Sequence, residues 1–227
     1  MIESPIPLSP PRYLTAFHPK EQPHCFVDVL VLGSGIAGLR ACLEIDPRLS
    51  VLLVTKDRID LSSSYYAQGG IAGVLDAEDR FENHYQDTLD AGVDLCDAEV
   101  VDMVIREAPE HVRQLIAWGT HFDEENGKLL LGREGGHSHN RIAHAFGDAT
   151  GQEVIRALIG CVEARPNTRI WQNAFTLDLL TAEDACRGAV IHCQQRGRLL
   201  VWAKQTILCT GGAGQLYRET TNPEITT

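Results

Sequence analysis

An apolar strand that runs straight into a glycine loop leaves this chain few folds to choose from. Phe26-Val-Asp-Val-Leu-Val-Leu32 is the kind of β-branched and leucine run that forms a buried parallel strand. Gly33-Ser34-Gly35-Ile-Ala37-Gly38 follows at once, and Leu39-Arg-Ala-Cys-Leu-Glu-Ile45 favours helix. Pro47 ends that helix, and Val51-Leu-Leu-Val54 supplies a second buried strand. Strand, helix and strand in this order make a βαβ unit. The three glycines have separate tasks. Gly33 permits the tight turn, Gly35 clears the backbone where a pyrophosphate would approach, and Gly38 lets the helix pack on the strand. The free N–H groups and partial positive charge of the helix start suit a phosphate. The expectation is a Rossmann-like α/β domain that binds a dinucleotide; the bland alternative is a purely structural turn.

Whether that dinucleotide is NAD or FAD is not decided by the loop. Both usually meet an acidic residue after the second strand, which accepts from the ribose hydroxyls. Here the positions read Val54-Thr55-Lys56-Asp57. Thr55 stands in the place of the carboxylate and Asp57 lies further along, which weakens a simple dehydrogenase reading.

The remaining chain reads as mixed α and β. Residues 1–24 hold six prolines and are expected to form a flexible tail, with the ordered domain spanning residues 25–227. Helical patterns cover Phe81–Ala91, Ala98–Trp118 and Gln152–Ala164; Pro109 should kink or break the second. Gly132 to Gly151 is rich in Gly, His and Arg, lacks a period, and reads as a functional loop. Short strand-like pieces follow at Arg169–Trp171, Leu177–Leu180, Ala189–Cys193 and Leu199–Ala203, enough for a small β-meander; Gln205–Cys209 then enters Thr210-Gly211-Gly212-Ala-Gly214. A net charge of −11 argues against nucleic acid or an anionic membrane as a partner. Seven cysteines without a CxxC suit free thiols in a reducing cytoplasm. No apolar run reaches membrane-spanning length. His137, His139 and His144 cluster, but no cysteine or carboxylate completes a zinc pattern, so no metal is expected.

Four segments in order carry a family resemblance: Tyr66-Ala67-Gln68-Gly69-Gly70-Ile-Ala72, Arg133-Glu134-Gly-Gly-His137-Ser138-His139, His144 to Gly151, and Thr210 to Gly214. They resemble the L-aspartate oxidases, within the fumarate reductase and succinate dehydrogenase flavoprotein family. The likeness runs from about Phe26 to the last residue. It implies FAD, with Ala67, Gln68, Gly69 and Gly70 bringing backbone N–H groups to the isoalloxazine, and with Thr210, Gly211 and Gly212 meeting the cofactor again. A Thr at position 55 is familiar in that family, and His137 and Ser138 are implied to lie near the flavin ring. Where the dehydrogenases carry a histidine that bonds covalently to flavin, this chain has Ser63, flanked by Ser62 and Ser64. Serine cannot form that bond, so FAD is expected to be held non-covalently. Thr55, Lys56, Ser63 and Ser64 therefore join the glycine loop as candidate cofactor contacts.

Glu134 stands where the dicarboxylate reductases tend to have an aromatic residue. A carboxylate gives the α-ammonium of L-aspartate an ionic partner that an aromatic wall lacks; alone, it would read as a solvated loop residue. Arg141 reads equally as a carboxylate partner or as a surface arginine. The resemblance implies oxidation of L-aspartate to iminoaspartate, with dioxygen or fumarate as acceptor and quinolinate synthase as a downstream partner in quinolinate and NAD biosynthesis. The family's further substrate-binding residues would follow Thr227, so activity is expected only in the complete chain. The alternatives are a soluble fumarate reductase or succinate dehydrogenase-like flavoprotein, and an inactive FAD-binding module.

Overall fold

The computed structural model describes residues 12–226. Its elements in chain order are β1 (His24–Leu32), α1 (Ile36–Glu44), β2 (Val51–Val54), β3 (Ile71–Ala72), α2 (Phe81–Gly92) and α3 (Ala98–Ala117). Three short strands follow, β4 (Glu124–Glu125), β5 (Lys128–Leu129) and β6 (Leu131–Gly132), then β7 (Ile142–Ala143) and α4 (Thr150–Glu163). The last strands are β8 (Thr168–Trp171), β9 (Ala174–Ala182), β10 (Ala185–Cys193) and β11 (Gly197–Leu208). The expected Rossmann-like α/β domain is present.

Six strands form one sheet in the order β8-β2-β1-β11-β10-β9. The first four run parallel, while β11, β10 and β9 pair antiparallel. The meander is thus part of the main sheet, because β11 is longer than the sequence suggested. Leu199–Ala203 and Gln205–Cys209, read as separate pieces, belong to one strand and the turn that follows it. Its first half pairs with β10, and along its length it lies beside β1.

Alternation along β1 builds two cores. Val29 and Val31 face α1 and α4, meeting Leu39, Cys42, Ile155 and Leu158. Leu30 and Leu32 face the other way, with Leu52, Trp171, Ile191 and Val201. Burial of each leucine contributes about 2 kcal/mol, which no exposed contact here rivals. The strand alternation that places both sets is dictated by the pleat.

Two expectations need correction. Of the kink or break expected at Pro109, the break does not occur: helix α3 is continuous through it. The proline lacks the N–H that would bond the Ile105 carbonyl, yet Ile105, Pro109, Val112 and Leu115 form one buried stripe. Packing of that stripe outweighs the local loss. Part of the stretch expected to be a flexible tail is packed against the sheet. Residues 1–11 lie outside the described residues, but Tyr13 and Phe17 pack on Leu180, Val190 and Leu200. The Leu14 N–H donates to Asp178 of β9 at 2.6 Å, so this stretch covers the meander.

Candidate functional site

Parallel pairing brings three chain segments to one edge of the sheet. Leu32 at the end of β1 lies between Val54 of β2 and Leu208 of β11. Each strand therefore releases its loop at the same level. The turns are tied together: Gly33 N–H donates to the Val54 carbonyl at 2.9 Å, and Cys209 N–H to the Leu32 carbonyl at 2.8 Å. Thr55 bonds on its far side to the loop after β8, through Trp171 and Ala174. This is the carboxyl edge of the parallel strands, where ligands of open α/β sheets sit.

A cavity of about 260 Å³ opens there. Gly33, Ser34, Gly35, Thr55, Lys56, Ser63, Ser64, Thr210, Gly211 and Gly212 all line it, so ten predicted contacts converge from three loops. The volume is somewhat below the usual range of roughly 300–1,000 Å³ for a small-molecule site, enough for part of a dinucleotide. Thr55 lines the cavity and Asp57 does not, so of the two positions after β2 it is the threonine that faces the site. The Ser34 and Thr55 hydroxyls are 3.0 Å apart and both residues are buried, so the pair closes the floor between β1 and β2. Burial holds the Lys56 ammonium below the usual lysine range.

The glycines divide as their chemistry requires. Gly33 has φ +109°, and a Cβ on it would collide with the Cys209 carbonyl. A Cβ on Gly38 would collide with the Gly33 carbonyl, so helix and loop could not close. Gly35 differs: its nearest neighbour would be Ser64 Oγ at 3.4 Å, an ordinary contact. That position is open toward the cavity, which fits backbone kept bare for a ligand. Leu39 N–H to Gly35 O is the first bond of the helical ladder, leaving the preceding N–H groups outside it. The residues present fit the phosphates of a dinucleotide.

Other predicted residues lie elsewhere. Ala37 and Gly38 sit in the first turn of α1 behind the cavity wall. Ala67, Gln68, Gly69 and Gly70 do not line it. Gly70 has a packing reason to lack a side chain, since a Cβ there would strike Ile142 and Ala143 of β7. The Ala67 carbonyl accepts from Gly151 N–H at 2.9 Å, pinning this segment to α4. Glu134 lies outside the cavity, exposed, with one oxygen 3.5 Å from His144 Nε2. Arg141 is no surface arginine: it is fully buried and ion-paired to Asp79 and Asp87. The region 132–151 is only partly loop, because β7 and the start of α4 interrupt it. Among the described residues, no three His, Cys, Asp or Glu side chains gather to hold a metal ion.

The sequence reading missed the wall from the meander, Ala174-Phe175-Thr176, and the segment Ile225-Thr226. Thr226 is buried and its hydroxyl lies 2.8 Å from that of Ser63. No motif marks these residues; strand order brings Phe175 to the site, and loop contacts to Ser63 and Gln215 bring Thr226.

A model of the FAD binding domain family matches residues 28–227. The chain belongs to that family. This FAD binding domain is 46% identical over 208 residues to L-aspartate oxidase 2-b, chloroplastic, of Nicotiana tabacum, covering 89% of this chain and 32% of that protein. It is 48% identical over 207 residues to L-aspartate oxidase of Streptomyces coelicolor, covering 88% and 36%. It therefore spans about a third of the length of these curated relatives. Among solved structures, E. coli quinol fumarate reductase FrdA matches with TM-score 0.83 and 30% identity, over 90% of this chain and 36% of that one. A flavocytochrome c3 fumarate reductase in its open conformation matches with TM-score 0.74 and 27% identity, over 86% and 35%. The family's description supplies FAD as the cofactor, in accord with the glycine cradle. No helix among the described residues is long and apolar enough to cross a membrane.

Proposed function

We propose that the whole protein is an L-aspartate oxidase, turning L-aspartate into iminoaspartate with non-covalently held FAD. The observation that carries this reading is the 46–48% identity to proteins named L-aspartate oxidase, against 30% to the fumarate reductase. FAD, when bound, supplies the two-electron oxidising power. This chain's own residues bind and orient. Gly33, Gly35 and the start of α1 would take the pyrophosphate, and Thr55 with Lys56 would flank the nucleoside side. Ser63, at the cavity wall, has no ring nitrogen to form a histidyl link.

Glu134 would hold the α-ammonium of L-aspartate, its exposed carboxylate being free to turn from His144 toward substrate. That contact favours aspartate over succinate, which has no ammonium to pair. Dioxygen or fumarate would accept the electrons, and quinolinate synthase would take the product toward quinolinate and NAD. Seven free cysteines fit a reducing compartment, read as the cytoplasm.

The test is anaerobic addition of L-aspartate to the purified full-length protein. The expected result is bleaching of a flavin absorbance that acid precipitation releases into solution. Bleaching by succinate but not by aspartate would favour the fumarate reductase-like reading. A flavin that neither substrate bleaches would indicate an inactive binding module.

A further inference from the structure

Beneath the loop between β6 and β7 lies a charge cluster that the cofactor cavity does not use. Arg141 has no exposed side-chain surface, and Asp79 has 1%. The guanidinium grips Asp79 with two bonds, Nε to Oδ2 at 2.7 Å and Nη2 to Oδ1 at 2.8 Å. Nη1 donates to Asp87 Oδ2 at 2.5 Å and lies 3.3 Å from His137 Nδ1. Four of the five N–H directions are spent inside the protein. Arg141 therefore has little left to offer a substrate carboxylate.

The same two aspartates hold the loop above. Asp87 Oδ2 accepts from Ser138 twice, from N–H at 2.8 Å and from Oγ at 2.7 Å. His139 Nδ1 lies 3.7 Å from Asp79 Oδ1. Arg141 N–H closes the base of the loop on the Gly132 carbonyl at 3.0 Å. The strands at its feet have only two residues each, too short to fix an exposed connection that contains Gly135 and Gly136. Without the ties, the loop would sample many conformations.

We propose that Arg141, clamped between Asp79 and Asp87, is a positioning residue that fixes the Arg133–Asn140 loop and so presents Glu134 to the substrate ammonium. The inference rests on the reading of Glu134 given above. A buried guanidinium stripped of a carboxylate partner is costly, so the cluster forms as a unit and the loop has one seated position. The charge acts through Glu134 and does not touch substrate.

Asp87→Asn in the full-length holoenzyme tests this, since it keeps the shape and removes the charge. The expected result is a rise in KM for L-aspartate of about tenfold with kcat within about twofold, as for a contact displaced by about an ångström. FAD affinity should stay within about twofold, and hydrogen exchange should quicken at amides 134–139 alone. Ser138→Ala removes a loop-side tie without disturbing the buried charges. It should quicken the same amides and raise KM in the same direction. Glu134→Gln should raise KM without faster exchange. Unchanged exchange in both loop variants would overturn the proposal, as would loss of protection throughout the domain together with FAD. If the wild-type protein turned over no L-aspartate, the functional reading would fall, while exchange at 134–139 would still decide the anchor.

Discussion

The Ser64 hydroxyl accepts a hydrogen bond from the Ile36 N–H at 3.2 Å, so the loop after β2 caps a helix whose own cap residue, Gly35, offers no side chain. This contact sits where a cofactor phosphate would compete for the same dipole. Ser64→Ala should lower stability by about 1 kcal/mol, the common worth of such a cap. Ser64→Asp should keep the cap but weaken FAD binding by about tenfold, because it places a negative charge beside the phosphates. Thermal melting and flavin titration read the two effects. Unaltered FAD affinity in Ser64→Asp would mean that the pyrophosphate rests elsewhere.

The three loop glycines should respond differently to alanine. Gly33→Ala and Gly38→Ala bring Cβ into backbone carbonyls and should abolish soluble, folded protein. Gly35→Ala meets only Ser64 Oγ at 3.4 Å and the more distant Ser62 Cβ, so the fold should survive while FAD affinity falls about tenfold or more. Circular dichroism beside flavin titration separates these outcomes. Full FAD binding in Gly35→Ala would contradict the cradle.

Acid should weaken the domain in two windows. Burial, with Arg141 and His137 nearby, lowers the His84 pKa from 6.5 to about 4. The unfolded chain then binds the extra proton first, so stability is full above pH 6.5 and declines as pH falls toward 4. His84→Phe should flatten that decline, by on the order of 1–2 kcal/mol between pH 7 and 4.5. Burial alone would raise the Asp87 pKa, but hydrogen bonds from Ser138 and Arg141 outweigh it and bring it to about 2. Its contribution holds above the ordinary 3.8 and is lost as pH drops through 2. Melting curves against pH distinguish the windows; an unchanged slope in His84→Phe would rule out the first.

Glu134→Phe replaces the proposed ammonium partner with an aromatic wall. Its kcat/KM for L-aspartate should drop by about a hundredfold, while succinate or fumarate turnover should appear or rise. Steady-state kinetics on the three substrates give the answer. An aspartate preference that survives the change would assign the ammonium to another residue.

Much of the frame was legible in the chain, for identifiable reasons. Val51–Val54 is uniformly buried and its apolar run has clear ends, so its limits were read correctly. The helix at Phe81 and the helix at Ala98 ended within a residue of expectation, the second because Gly119, with φ +88°, stops it. Pro109 misled, since its cost is local while the stripe it shares with Ile105 and Val112 is tertiary. The site divided similarly. Gly33 to Gly35 could be named from local geometry, whereas Phe175 and Thr226 reach the cavity only through long-range contacts. Arg141 stood undecided because its partners, Asp79 and Asp87, lie far back in sequence and carry no motif.

The pairing of β1 with β11 also governs the order of events on the ribosome. Parallel register sets residue 24 against residue 200, so the first strand of the sheet waits for the last before that neighbour arrives. The nucleotide cleft can close only after Leu208 has emerged, when Cys209 bonds back to Leu32. Until then β1 presents an apolar edge to solvent, and nascent chains of this protein should depend on holdase chaperones while the residues between β1 and β11 are being made.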